Sequence, residues 1–342
     1  MKRLLPVFIS LLAVYSSTLM AAEITTINPH VSLLKQPSSL IVTQKIKQLM
    51  PVIVSQSHDY SLSVLRQAYY RGIDDIGSTI HLQQGLWAGE PYQPGGSIMP
   101  QVMLLGDLKA MGRLNSQNAP MAVVLLNYSP GGSGQFLYLA VMAYQHGKLV
   151  NIATQYVGDR IRVKGLTIKN STIILDVIQP GKHDPACCPG DVARHVWHLN
   201  HNKLVEVPSH QAIVRLTPAI LANTDWQLES WRYGEPVTEI GNIDLRYSNG
   251  HFVGKVDCNN YTVTVKSQSQ PGFIDVLEQH VAITNRQCGD PLSKHRQQQY
   301  FKQLANVTQF TYFAGKLALT YRHDNHIGVM IFAAKKQDLS IC

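Results

Sequence analysis

After its first twenty residues the chain lacks any apolar run long enough to cross a bilayer, so no later segment reads as a spanning helix. It also lacks a cluster of positive charge. Its Lys and Arg residues are scattered, with no run and no aromatic-interleaved patch, which argues against a nucleic-acid partner. Signatures of familiar catalysts are missing too: there is no zinc-protease helix motif, phosphate loop or dinucleotide fingerprint. "GGSGQ" sets a serine among glycines, yet Gln135 stands where a nucleophile elbow needs glycine, and the context is strand–turn–strand. Adjacent carboxylates at Asp74 and Asp75 diverge on a helix and read as a solvated face. Cysteine is scarce: the 342 residues contain five, at 187, 188, 258, 288 and 342.

What is present begins with the one long apolar stretch. Lys2 and Arg3 precede a run from Leu4 to Met20, and small Ala21 and Ala22 lead into polar sequence from Glu23. This order reads as a secretory signal over residues 1–22, cleaved after Ala21 or Ala22. The alternative is an uncleaved anchor, for which the run is short. No cysteine sits at the cleavage point, so a periplasmic or secreted protein is expected and not a lipoprotein. Loss of Lys2 and Arg3 lowers the formal net charge from +8 to about +6, which gives only mild attraction to anionic envelope surfaces. A mature chain of this length exceeds the usual single core, so two domains are expected. In an oxidising compartment the cysteines are disulfide candidates before they are catalytic thiols. Their odd number leaves at least one free, blocked or intermolecular.

Residues 23–100 read as a partly helical region, because "SLIVTQKIKQLM" and "YSLSVLRQAYYRGI" space apolar residues at three and four, with Ser61 as a cap. The period then changes. "MAVVLLNYS" and "FLYLAVMAY" are β-rich runs joined by "PGGSG", and "LVNIATQYV", "IRVKGLTI", "TIILDVI", "HVWHL" and "KLVEV" follow as strands. Residues 101–207 form this β-rich region, and 208–216 form a looser linker. In the last third, "IDLRYSNGHFVGKV" is the best hairpin, since Asn249-Gly250 fits a type I′ turn with both central residues at positive φ. A helix is expected at about 294–304, with Tyr300, Phe301 and Leu304 on one face. The strands around it point to a closed or half-closed antiparallel barrel.

Residues 217–334, ahead of a tail at 335–342, resemble the META domain family, which includes HslJ-like proteins of bacterial envelopes. The resemblance rests on "TDWQLESW", "LRYSNGHFVGKVDCNNYTV", "VAITNRQC", "YFKQLANVTQF", "GKLALTY" and "GVMIF" in that order. The family commonly has glycine before its Cys-Asn, where this chain has Asp257. The resemblance implies a lipocalin-like β-barrel with one helix, no established enzymatic activity and no cofactor. Cys258 and Cys288 each follow a strand, and Asn259-Asn260 offers turn hydrogen bonds or positive φ. A Cys258–Cys288 bridge is expected there; the alternative is two buried reduced thiols.

Residues 101–207 are similar to the LppP/LprE family of secreted bacterial proteins in "VVLLNYSPGGSGQFLYLAVMAY", "VGDRIRVKGLTIKNSTIILDV" and "HDPACCPGDVARHVWHLNHNKLVEV". Asp107 lies among Lys109, Met111 and Arg113, too few oxygens for a calcium loop. The pair Cys187-Cys188 admits several readings. A bond between neighbours strains the peptide. A metal site would need His195 and His198 to converge, but on a strand they point to opposite faces. A redox catalyst would space its cysteines at a helix N-terminus, and no helix opens here. The favoured reading is a structural turn between Pro185 and Pro189, with at least one cysteine bridged elsewhere and Cys342 a candidate partner.

The sequence therefore predicts an α+β, mostly antiparallel chain: a helical N-terminal region, a β-rich middle and a C-terminal META barrel. Its expected role is binding or stress-related maintenance in the envelope, without catalysis or metal. Its partner would be an unidentified protein or envelope component. The alternative is a small-ligand carrier, for which Trp226, Trp231, Phe252 and Tyr261 could line the barrel cavity, although ordinary core packing is the favoured reading of these four. The third reading is a thiol-redox enzyme.

Overall fold

"MAVVLLNYS" is apolar at nearly every position because the strand it forms is covered on both sides. In the computed structural model, which describes residues 58–115, 119–185, 187–232, 241–323 and 326–335, residues Met121–Leu126 are all buried. The sheet that holds this run comprises β3 (Leu86–Ala88), β4 (Gln101–Gly112), β5 (Met121–Ser129), β6 (Phe136–Gln145) and β7 (Lys148–Asp159), antiparallel and in sequence order. Before it stand the single-turn helix α1 (Leu62–Leu65) and the short strands β1 (Tyr69–Tyr70) and β2 (Ile80–His81).

Period-two alternation divides each strand between two cores. Val123 and Leu125 of β5, with Leu137, Leu139 and Val141 of β6, face a second sheet. Ala122, Val124, Leu126, Tyr138 and Met142 face the N-terminal segment, where Tyr60, Leu65, Tyr70, Ile73 and Leu82 cover them. The second sheet is β8 (Arg162–Lys169), β9 (Thr172–Gln179), β10 (Asp191–Asn200) and β11 (Lys203–Val207), with β12 (Val214–Arg215) pairing with β10. Leu166, Ile173, Leu175, Val177 and Trp197 complete the inter-sheet core. The result is a β-sandwich with an extra layer on one side.

The helical spacing in "YSLSVLRQAYYRGI" is realised over one turn only. Ser61 caps α1 as expected, its hydroxyl accepting from the Val64 N–H. The helix stops because Tyr69 and Tyr70 are recruited into a ladder with His81 and Ile80, and the buried Tyr70 hydroxyl donates to the Leu65 carbonyl at 3.0 Å. Leu65 from α1, Tyr70 from β1, and Ala68 and Ile73 from the segments beside them thus face the sheet. Asp74 and Asp75 lie exposed in a turn. The stretch "SLIVTQKIKQLM", the expected signal at 1–22 and Cys342 lie outside the described residues.

The last third forms one eight-stranded antiparallel sheet. Its strands are β13 (Trp226–Ser230), β14 (Asp244–Ser248), β15 (His251–Val256), β16 (Asn259–Ser267), β17 (Ile274–Ile283), β18 (Val307–Phe313), β19 (Lys316–His323) and β20 (His326–Ala334). The order β17-β16-β15-β14-β13-β20-β19-β18 brings the first and last strands together. A bridge between Phe273 and Gln309 and a 2.8 Å bond from the Phe310 N–H to the Gly272 carbonyl draw the edges into a nearly closed barrel. Asn249 and Gly250 both have positive φ, as the I′ turn requires. Helix α2 (Ser293–Leu304) lays Tyr300 and Leu304 into the barrel core, while Phe301 is half-buried.

Sandwich and barrel share a boundary. Ile178, Val192 and Leu216 pack into the barrel's own core, the Gly315 N–H donates to the Val163 carbonyl, and the Lys164 ammonium sits 6.0 Å from the Tyr312 ring centroid.

Candidate functional site

The two cysteine pairs and the helix α2 organise every arrangement that bears on function. The turn containing Cys187 and Cys188 is built around Asp184. Its nearly buried carboxylate accepts the Gly181 and Gly190 N–H groups, each at 2.7 Å, and holds the Arg215 guanidinium at 2.5 and 3.0 Å. These bonds, Arg215 first, pull the Asp184 carboxyl down to about 2. Arg215 also binds Asp191, so the stretch expected as a linker is tied to β10 by an ion pair and by β12. Gly190 is buried where a methyl would lie 2.5 Å from Pro271 of the barrel and 2.6 Å from Arg215.

Within this turn Cys187 and Cys188 are bonded to each other. Neither reaches a distant cysteine, in contrast to the bridge elsewhere that the sequence suggested. The turn makes the neighbouring bond feasible: Asp184 and a bond from the Cys188 N–H to the Pro185 carbonyl hold its backbone. Cys187 is exposed and Cys188 buried.

The histidines of β10 serve structure. His195 bonds Glu206 at 2.6 Å and Gln179 at 2.8 Å and stacks on Trp197, whereas His198 is exposed and contacts Thr172. No group of three or more metal-ligating side chains occurs among the described residues.

In the barrel, Cys258 and Cys288 are joined, with Cα atoms 5.6 Å apart. Chain-entropy arithmetic values a loop of this span at roughly 3–4 kcal/mol. Asn259, almost fully buried, reinforces the bridge. Its amide donates to the Arg286 carbonyl at 3.0 Å, and its oxygen accepts the Arg286 N–H at 2.7 Å and the Thr284 hydroxyl at 3.0 Å. Asparagine thus fastens a distant segment, not its own turn.

Asp257 is the residue with positive φ in this motif, at +54°. Its carboxylate binds Nε and Nη2 of Arg296 at 3.1 and 3.0 Å, and Asp290 binds the same Nη2 at 2.5 Å. Arg296 is 6% exposed. Burial alone would push its guanidinium down, but the bonds to Asp290 and Asp257 carry it above its ordinary value. Asp257 therefore anchors α2. Sequence reading missed Arg296, which only the fold brings to Asp257.

The four aromatics proposed as cavity lining are core. Trp226, Phe252 and Tyr261 are buried together and Trp231 packs against them. The Tyr261 hydroxyl donates to the Asp244 carbonyl at 2.9 Å and pairs with the Tyr300 hydroxyl at 2.7 Å; burial raises both phenols. Tyr261 also borders a surface cleft of about 410 Å³, lined by Lys255 and by two ion pairs, Lys335 with Asp244 at 2.8 Å and Arg246 with Asp225 at 3.9 Å. Two further clefts, of about 570 and 680 Å³, adjoin along α2 and share Ile283 and Phe301.

Comparison with known families matches residues 219–336 to the META domain. No curated protein matches the chain.

Proposed function

We propose that this is an exported bacterial envelope protein that binds and does not transform, with the sandwich and the META barrel serving as its scaffold. The observation that carries this reading is the placement of sulfur. Four cysteines lie in two bonded pairs, one closed within the turn beside the sandwich–barrel junction and the other fastening the segment before α2. Such use of sulfur suits an oxidising compartment. The likeness of residues 101–207 to the LppP/LprE family, and the leader-like residues 1–22, support the same assignment. Stress-related maintenance is the role that best accords with the META match.

The test is fractionation of the full chain expressed with its own leader. A shortened, oxidised product in the envelope fraction, cut by protease only after the outer layer is opened, is expected. A full-length, reduced protein in the cytoplasm contradicts the reading.

A second reading, a small-ligand carrier, is favoured by the clefts along α2 rather than by the barrel interior, which the aromatics fill. Thiol-redox catalysis is the weakest of the three. Cys188 is buried, and among the described residues the pair opens no helix, being followed by β10, so it lacks the helix N-terminus that activates a thiolate.

A further inference from the structure

The ladder between β16 and β17 is irregular beside α2. Thr262 on β16 opposes Ala282 on β17, but Thr264 opposes Leu277, so β17 carries extra residues at this point and bulges away from Val263. A cleft lies here whose apolar surface is the half-buried Val281 and Phe301 and the exposed Ile283, set over the buried Val263 and Leu304. At about 570 Å³ it has the volume of a small-molecule site.

The charges around this trough have one sign. Lys302 borders the cleft, and Arg286 and Lys294 border the adjoining cleft beyond Phe301. Asp290 is the one acidic residue that lines either cleft among the described residues, and its carboxylate is engaged by Arg296. An apolar cleft with a cationic border complements an amphiphile with one hydrocarbon tail and a negative head.

We propose that this trough binds a single acyl chain bearing an anionic headgroup, with the chain over Ile283 and Phe301 and the head beside Lys302. This deepens the carrier reading and rests on it. The head's chemistry is shared by a free fatty acid and a lysophospholipid, so the test separates them.

Titration calorimetry of the full mature chain with hexadecanoate, with a lysophosphatidylglycerol of equal chain length and with the uncharged methyl ester, all below micelle formation, reads the assignment. Saturable one-to-one binding of at least one anionic ligand is expected, at least tenfold tighter than the ester. Among shorter carboxylates, each added methylene should tighten binding about fourfold. Lys302→Glu should weaken it at least tenfold and Lys302→Arg should retain it. Ile283→Glu, at an exposed position, should also weaken it at least tenfold without moving the melting temperature. A photoactivatable acyl carboxylate, which needs no variant, should label peptides carrying Ile283 or Phe301. Equal binding of acid and ester, or labelling elsewhere on the chain, overturns this assignment while leaving a carrier. Absence of binding by all three ligands overturns both.

Discussion

Replacing Asp257 by glycine, the residue best suited to its positive φ, should nonetheless destabilise this protein. Two effects compete. Glycine removes the cost of a side chain at φ +54°, at most about 1 kcal/mol for a residue type that tolerates the left-handed region. It also removes two hydrogen bonds to a guanidinium that is 6% exposed, and loss of one partner of a buried pair costs roughly 3–5 kcal/mol. Asp290 still holds Arg296, which keeps the loss toward the lower end. The net expectation is about 2–4 kcal/mol of lost stability, or roughly 4–16 °C in melting temperature. Urea unfolding followed by tryptophan fluorescence measures it under oxidising conditions. Adding Arg296→Met to the glycine variant should recover part of the loss, because the stranded cation is gone. A glycine variant as stable as the parent, or single effects that simply add in the double variant, would refute the anchoring role of this pair.

The sandwich–barrel junction yields two further expectations. Gly190→Ala places a methyl 2.5 Å from Pro271 and should cost about 1–3 kcal/mol, read as a lower melting temperature; no change would mean that the junction is looser than its packing implies. Asp184 has a folded pKa of about 2, below its ordinary value, so the folded state binds fewer protons there. Its contribution is complete above about pH 4 and fades as pH falls toward 2, so Asp184→Asn should flatten the acid limb of a stability–pH profile.

The barrel was legible because its signals are local and mutually consistent: Asn249-Gly250 sets a hairpin, and Tyr300 and Leu304 are one turn apart on α2. The N-terminal segment was not, because apolar residues at helical spacing satisfy a sheet face equally well when Tyr69 and Tyr70 find a strand partner. Pairings between distant residues escaped for a different reason. Asp184 with Arg215, Asn259 with Arg286 and Asp257 with Arg296 each depend on tertiary juxtaposition that no spacing reveals. The aromatics offered as cavity lining were core because a barrel of this size fills its interior with side chains.

Export and a sulfur-pinned scaffold form the central claim. Peptide mapping without reduction, on protein recovered from the cell envelope after immediate thiol blocking, tests it most directly. The account predicts a linked pair of peptides carrying Cys258 and Cys288 and a single peptide in which Cys187 and Cys188 resist the blocking reagent until reduced. All five cysteines blocked at once, or Cys187 or Cys188 cross-linked to a remote peptide, would contradict it.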